Sequence, residues 1–178
     1  MDGGADTMLT RHIFLIGMSG SGKSSLGRRT ATTMGLSFLD TDTMINEVLG
    51  GTTVEIFEKF GENAFRTAER NLLIWLTRQP PCIISTGGGM VIREENRAIM
   101  RNWGHIVLID RPLEEILSDI KLDRRPLLAA RGLDGVKEMY EQRIGIYRSA
   151  ADASIVNNVS YYDSLAQLER VINRLCPP

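Results

Sequence analysis

One stretch constrains the fold of this chain more than any other: Gly17-Met18-Ser19-Gly20-Ser21-Gly22-Lys23-Ser24. It fits the phosphate-binding pattern G-x-x-x-x-G-K-[ST] at every fixed position. An apolar, strand-like segment at 12–16 precedes it, and a helix is expected from Lys23 to a C-cap at Gly35. The glycines let the backbone turn its N–H groups around an anion, and the helix adds the positive end of its dipole. The stretch therefore predicts a strand–loop–helix unit that binds phosphate.

The last two residues of this loop indicate the kind of phosphate compound. In the pattern, the lysine (Lys23) reaches the outer phosphates of a nucleotide, and the hydroxyl of Ser24 ligates magnesium. The alternative is a turn rich in glycine and serine that binds nothing. That alternative requires the glycine spacing, the Lys-Ser pair and the flanking elements all to coincide.

Length, charge and cysteine content narrow the functional class. The 178 residues suit one domain with a sizeable core, and 22 acidic against 21 basic residues give a net charge of −1. A protein that binds nucleic acid or a membrane surface usually carries an excess of basic residues, so we expect this chain to bind neither. Cys82 and Cys176 have no metal-ligand spacing and suggest no disulfide framework, which fits a reducing, cytoplasmic compartment.

Predicted strands alternate with predicted helices, which favours a parallel sheet covered on both faces. In such sheets ligands bind beyond the carboxyl ends of the strands. This rule brings three stretches to one edge: the 17–24 loop, Asp40–Asp42 after a strand at 36–39, and Gly87–Gly89 after a strand at 82–85.

The acidic pair at this edge can serve phosphate transfer. If the strand continues through Asp40 and Asp42, both side chains lie on the same side. One carboxylate can then hold a metal-bound water, while the other accepts the proton of an attacking hydroxyl. The alternative is that both residues cap the helix expected from Thr43. Their place at the phosphate edge favours the functional interpretation.

The glycine triplet and three arginine sites are the remaining candidates. Three successive glycines at 87–89 are expected where backbone closely approaches a substrate oxygen, although an ordinary turn is the alternative. Arg66, braced by Glu69 three residues on, and Arg143 can bind a carboxylate in a bidentate manner. The alternative is that each is a solvated surface arginine, which is what an arginine usually is. The basic segment 124–128 either folds over the nucleotide or is an exposed loop.

Six blocks of the sequence, in order, resemble those of shikimate kinases, small members of the nucleoside-monophosphate-kinase-like group of P-loop proteins. They are GMSGSGKSSLGRR at 17–29, FLDTD at 38–42, AFRTAER at 64–70, STGGGMV at 85–91, RRPLL at 124–128 and YEQRIGIYRSAAD at 140–152. The resemblance implies ATP-dependent phosphorylation of the 3-hydroxyl of shikimate, a step towards chorismate and the aromatic amino acids. It also implies an α/β fold: a three-layer α/β/α P-loop kinase with a five-stranded parallel sheet in the order 2-3-1-4-5.

The resemblance also assigns the nucleotide and metal contacts. The ATP phosphates would be held by residues of the loop and the helix start: Gly20, Ser21, Gly22, Lys23, Ser24 and Ser25. Lys23 would contact the transferred group, and Arg125 would close over the nucleotide. Ser24 would ligate Mg2+, and Asp40 would reach the metal through water.

The substrate contacts follow in the same way. Asp42 would bind shikimate hydroxyls and act as the base, and Arg66 and Arg143 would bind the carboxylate. Gly88 would offer its backbone, flanked by Gly87 and Gly89. We expect one domain over 1–178, a monomer, with a substrate-binding subdomain at about 43–78 and a lid at about 121–133.

Two departures and two rival functions remain. Gly145 stands where the family commonly has proline, and 157–160 lacks the arginine that some members carry near adenine. The rivals are a related P-loop kinase, such as one acting on gluconate, and a non-catalytic nucleotide-binding homologue.

Overall fold

The computed structural model of the chain describes residues 9–119 and 132–177. Its elements are, in chain order, β1 (His12–Ile16), α1 (Lys23–Met34), β2 (Phe38–Asp40), α2 (Thr41–Leu49), α3 (Thr53–Leu76), β3 (Ile83–Ser85), a 3-10 turn (Met90–Ile92), α4 (Glu94–Trp103), β4 (Gly104–Asp110), α5 (Leu113–Asp119), α6 (Gly132–Ala150), β5 (Ala153–Val156) and α7 (Tyr161–Leu175). Within the described ranges, no helix is both long enough and apolar enough to cross a membrane.

The strands form one parallel sheet in the order β2-β3-β1-β4-β5, which confirms the predicted topology. The central strand β1 pairs with β3 and β4, and Leu15 lies opposite both Ser85 and Val107. Asp40 at the end of β2 also lies opposite Ser85. The loops that follow β1, β2 and β3 therefore leave the sheet side by side.

Successive strand residues face opposite layers, as the two-residue period of a strand requires. Phe14 and Ile16 pack in one core, which α3, α4, α5 and α6 cover. Ile13 and Leu15 pack in the other, which α1 and α7 cover. A third, smaller apolar cluster joins α2 to α3 around the buried residues Ile45, Ile56 and Phe65. The three-layer arrangement is thus confirmed, with a separate small core beside it.

The connection from β2 to α2 differs from the expected one. The strand ends at Asp40 and the helix begins at once at Thr41, so Asp42 lies in the first helical turn rather than on the strand. The strand therefore does not continue through both acids, which was the condition for their side chains to lie on the same side, and for Asp40 the capping alternative holds. Asp40 Oδ1 accepts hydrogen bonds from the backbone N–H groups of Asp42 and Thr43 at 3.1 and 3.2 Å, which makes it the N-cap.

Helix α3 is broken at a glycine, a residue type that interrupts helices. Gly61 has φ 78° and ψ 164°, outside the helical region, so the element consists of two helical segments. The first begins with a capping box in which Thr52 and Glu55 bind each other's backbone N–H groups. The second carries Arg66 and Glu69 towards the sheet edge.

Candidate active site

Side chains at the start of α1 donate hydrogen bonds to carbonyl groups of the loop between β1 and α1. Lys23 Nζ donates to the carbonyl oxygens of Gly17 and Met18 at 2.9 and 2.7 Å. Ser25 Oγ donates to the Gly22 carbonyl at 3.0 Å. Gly22 has φ 96°, a left-handed conformation that favours glycine, and it forms the N-cap of α1. A loop fixed in this way can direct N–H groups and the helix N-terminus towards an anion.

Two side chains that follow β4 and β5 tether the same loop, and sequence reasoning predicted neither contact. Asn157, directly after β5, donates through Nδ2 to the Ser21 carbonyl at 2.8 Å, while its Oδ1 accepts from Ser164 at 2.8 Å. Arg111, directly after β4, donates to the Gly20 carbonyl at 3.1 Å. The contacts join residues 136 and 91 positions apart, so no local pattern could have predicted them.

Oxygen atoms suited to magnesium meet at the start of α1. Ser24 Oγ donates to Asp40 Oδ2 at 2.7 Å and lies 3.0 Å from Ser85 Oγ. Asp40 caps α2 with its other oxygen, so one carboxylate both binds Ser24 and caps the helix. Oxygen donors of this kind are what Mg2+ prefers, and it usually completes its shell with water and substrate phosphates. Within residues 9–119 and 132–177 no cluster of three or more His, Cys, Asp or Glu side chains forms an all-protein metal site.

Asp42 lies against the glycine turn that follows β3. A methyl group added at Gly87 would overlap the Asp42 carboxylate and would lie 3.3 Å from Glu69 Oε1. The Gly87 N–H donates to Thr41 Oγ1 at 2.9 Å, which fixes the turn against the start of α2. Burial raises the pKa of Asp42 and the charge of Asp40 adds to this, while Lys23 and Arg66 oppose it. A raised pKa makes this carboxylate a stronger proton acceptor.

Arg66 is held between two glutamates of its own helix. Its Nη1 donates to Glu69 Oε2 at 2.8 Å and its Nη2 to Glu62 Oε1 at 2.9 Å, which confirms the predicted brace. The Glu69 side chain is 1% exposed and that of Arg66 is 13% exposed. Burial raises the pKa of Glu69 to about 6, although Arg66 opposes the rise. Its Oε1 is buried without a hydrogen-bond partner among the described residues, close to Asp42.

The three glycines bring the acidic group, the guanidinium and the phosphate loop together. A methyl group at Gly89 would overlap the Arg66 guanidinium, with Cζ and Nη2 at 2.6 Å. One at Gly88 would lie 3.5 Å from the Ser19 nitrogen and 3.6 Å from the Gly17 oxygen. The triplet therefore lies between the phosphate loop on one side and Asp42 and Arg66 on the other. The absence of side chains is what leaves room for this approach.

Arg143 reaches the same region from α6 through its neighbour Tyr147. The Tyr147 hydroxyl donates to the Gly88 carbonyl at 2.6 Å. Burial raises the pKa of Tyr147, and a hydrogen bond from Arg143 together with the charges of Arg143 and Arg66 opposes the rise. Both predicted guanidinium groups thus lie around the glycine turn. Arg125 and most of the expected lid fall outside the described residues.

Comparison with known proteins gives a consistent result. Residues 19–174 match the family model for shikimate kinase. The chain is 38% identical over 160 residues to shikimate kinase of Clostridium beijerinckii, which covers 90% of this chain and 94% of the relative. It is 42% identical over 143 residues to shikimate kinase of Paracidovorax citrulli, 78% of each chain. The structure of Acinetobacter baumannii shikimate kinase in complex with shikimate superposes with a TM-score of 0.82 at 33% identity, covering 93% of this chain and 92% of the other.

Proposed function

The chain belongs to the shikimate kinase family and is an ATP-dependent kinase that phosphorylates shikimate, and we propose how its residues share this reaction. The observation that carries the proposal is the glycine turn at 87–89. Asp42 and Arg66 lie against one side of it, and the loop atoms Gly17 O and Ser19 N lie beside the other. An acid and a guanidinium group thus flank the space next to the phosphate-binding loop, where an acceptor must lie for in-line transfer.

We propose that the nucleotide's phosphates are bound by the loop and the start of α1, the stretch from Gly20 to Ser25. The positive φ values of Gly20 and Gly22, 92° and 96°, support this because they form the tight turn that such a cradle requires. Lys23 lies at the inner side of the loop on the carbonyls of Gly17 and Met18. From there its ammonium group can shift to the transferred phosphoryl group and stabilise the charge that develops on it.

We propose that Ser24 ligates Mg2+ and that Asp40 holds it through water. The 2.7 Å contact between Ser24 Oγ and Asp40 Oδ2 supports a shared oxygen site. When bound, the ion neutralises phosphate charge and orients the phosphates.

We propose that Asp42 accepts the proton of the 3-hydroxyl as it attacks, while Arg66 and Arg143 bind the carboxylate of shikimate. The raised pKa of Asp42, caused mainly by burial, supports the first role. The planar guanidinium fork, braced at Arg66 by two glutamates, supports the second. The main-chain N–H groups at Gly87–Gly89 would bind substrate oxygens. Holding the acceptor by both ends aligns its hydroxyl with the phosphoryl group.

We propose that residues 43–78 form the substrate-binding subdomain, which the separate apolar cluster of α2 and α3 supports. Arg125 of the lid at 121–133 would close over the nucleotide in a chain that acts as a cytoplasmic monomer. The two free, buried cysteines fit a reducing compartment.

The decisive experiment is a coupled kinase assay that measures ADP release with shikimate, ATP and Mg2+, omitting each component in turn. We expect turnover only when all three are present. A panel that includes gluconate distinguishes a related small-molecule kinase. Calorimetry that detects ATP binding but neither shikimate binding nor turnover would instead identify a non-catalytic homologue.

A further inference from the structure

Tyr147 is a fully buried side chain that no proposed step uses. It lies on α6, one helical turn after Arg143, and its relative exposure is 0%. Its neighbours in the core, Val136 and Met139, make it look like one more packing residue of the same helix. Its hydroxyl nevertheless reaches the glycine turn, 2.6 Å from the Gly88 carbonyl oxygen.

This hydroxyl lies close to groups from three parts of the site: the glycine turn, α6 and the phosphate loop. It donates its one proton to the Gly88 carbonyl, so its lone pairs can accept from another donor. The Arg143 guanidinium is the nearby donor that opposes the rise in the pKa of Tyr147. Met18 Sδ of the phosphate loop lies 3.9 Å away. A methyl group at Gly88 would lie 3.6 Å from the same oxygen, so the fit against the turn is close.

We propose that Tyr147 is a positioning residue for shikimate: its hydroxyl sets the orientation of the Gly88–Gly89 peptide and of the Arg143 guanidinium. The inference rests on the proposed substrate roles of the glycine turn and of Arg143. Neither group needs to move towards the substrate if one hydroxyl holds both in place.

The peptide geometry shows how a bond to a carbonyl affects substrate binding. In a trans peptide the C=O and the N–H point to opposite sides. Because the Gly88 carbonyl points to Tyr147, the N–H of Gly89 points away from α6. Gly89 itself lies against the Arg66 guanidinium. The same hydroxyl therefore fixes the direction of the backbone donor at Gly89, on the residue that lies against Arg66.

The test is Tyr147→Phe, which keeps the buried ring and removes only the hydroxyl. We expect the KM for shikimate to rise about five- to tenfold, the cost of one buried hydrogen bond that orders charged groups. The KM for ATP should change less than about twofold, because the loop contacts of Lys23 and Asn157 are untouched. The Kd for shikimate without nucleotide, measured by calorimetry, should weaken by the same factor.

Tyr140→Phe is the matched control. Tyr140 lies on the same helix but lines a surface cavity with Asp110, Glu114 and Arg148. Its hydroxyl has no hydrogen-bond partner within residues 9–119 and 132–177, so its loss should leave both KM values unchanged. A double variant with Arg143→Lys should lose less than the product of the two single effects, because both changes act on one guanidinium contact.

The outcomes separate this inference from the proposed function. If the wild type is active and both Tyr147→Phe and Tyr140→Phe keep its KM for shikimate, the positioning role is overturned and the kinase assignment stands. Equal rises in both KM values with a lowered melting temperature indicate a purely structural role and also overturn it. A wild type without shikimate-dependent turnover overturns both.

Discussion

Gly89→Ala is expected to impair shikimate binding without unfolding the protein. Gly89 has φ −91° and ψ −14°, which any residue adopts, so no backbone strain arises. The new methyl group would lie 2.6 Å from Arg66 Cζ and Nη2, whereas ordinary contacts are 3.4 Å or longer. The guanidinium must therefore withdraw by about 1 Å, which breaks hydrogen bonds of the present 2.8 and 2.9 Å to Glu69 and Glu62. A displaced guanidinium also loses its charge-assisted bonds to the shikimate carboxylate. Such bonds are worth about 1.5–3 kcal/mol, so the KM for shikimate should rise about 10- to 100-fold.

The assay is steady-state kinetics with each substrate varied, together with thermal unfolding. Gly145→Ala on α6 is the control, since nothing lies within 4 Å of a methyl group there. It should leave both KM values unchanged and stabilise the helix by about 0.5–1 kcal/mol. In Gly89→Ala the melting temperature should also fall, because the displaced guanidinium leaves the buried Glu69 without its ionic partner. An unchanged KM for shikimate in Gly89→Ala would refute the argument that the Arg66 guanidinium needs the space left by the missing side chain at Gly89.

Three further predictions concern the acid and the arginines. Asp42→Asn should lower kcat by about 10²- to 10⁴-fold while calorimetry still detects ATP binding, because only the proton acceptor is lost; near-normal kcat would remove Asp42 from the mechanism. Lysine at Arg66 or Arg143 should raise the KM for shikimate at least about tenfold, because the bidentate fork is lost; an unchanged value excludes that arginine as a carboxylate ligand. Glu69, with its pKa raised from 4.5 to about 6, binds a proton in the folded state more tightly than in the unfolded state. The free energy of unfolding, measured with urea, should therefore fall by about 2 kcal/mol as pH rises from about 4.5 to about 6. Glu69→Gln should make this free energy depend less on pH, and an equal pH dependence in the variant contradicts the assignment.

The local part of the fold could be predicted from the sequence. The phosphate loop, the alternation of strands and helices and the break at Gly61 depend on short-range signals, namely glycine spacing, apolar runs and caps. The place of Asp42 could not be predicted in this way. An acid two residues after a strand end fits both a continued strand and a helix start, and the capping bonds of Asp40 decide for the helix.

The residues that the sequence did not reveal are those whose partners are distant in the chain. Tyr147 and Gly88 are 59 positions apart, and Asn157 and Ser21 are 136 apart. On its helix Tyr147 falls on the apolar stripe, so the periodicity that predicts the helix also predicts a packing role for it. Only the fold shows that its hydroxyl end emerges at the active site.

The small apolar cluster of Ile45, Ile56 and Phe65 has a consequence for how substrate preference could change. Helix α2 and the part of α3 up to Phe65 pack on this cluster, whereas Leu73 and Leu76 at the end of α3 pack in the core beside the sheet. Substitutions near the cluster therefore leave most of the interior of the sheet layers intact. Arg143 and Tyr147 instead belong to a helix packed on the main core. A change of acceptor accommodated near α2 would therefore disturb the sheet core little, whereas a change at Arg143 or Tyr147 would act on a helix that forms part of that core.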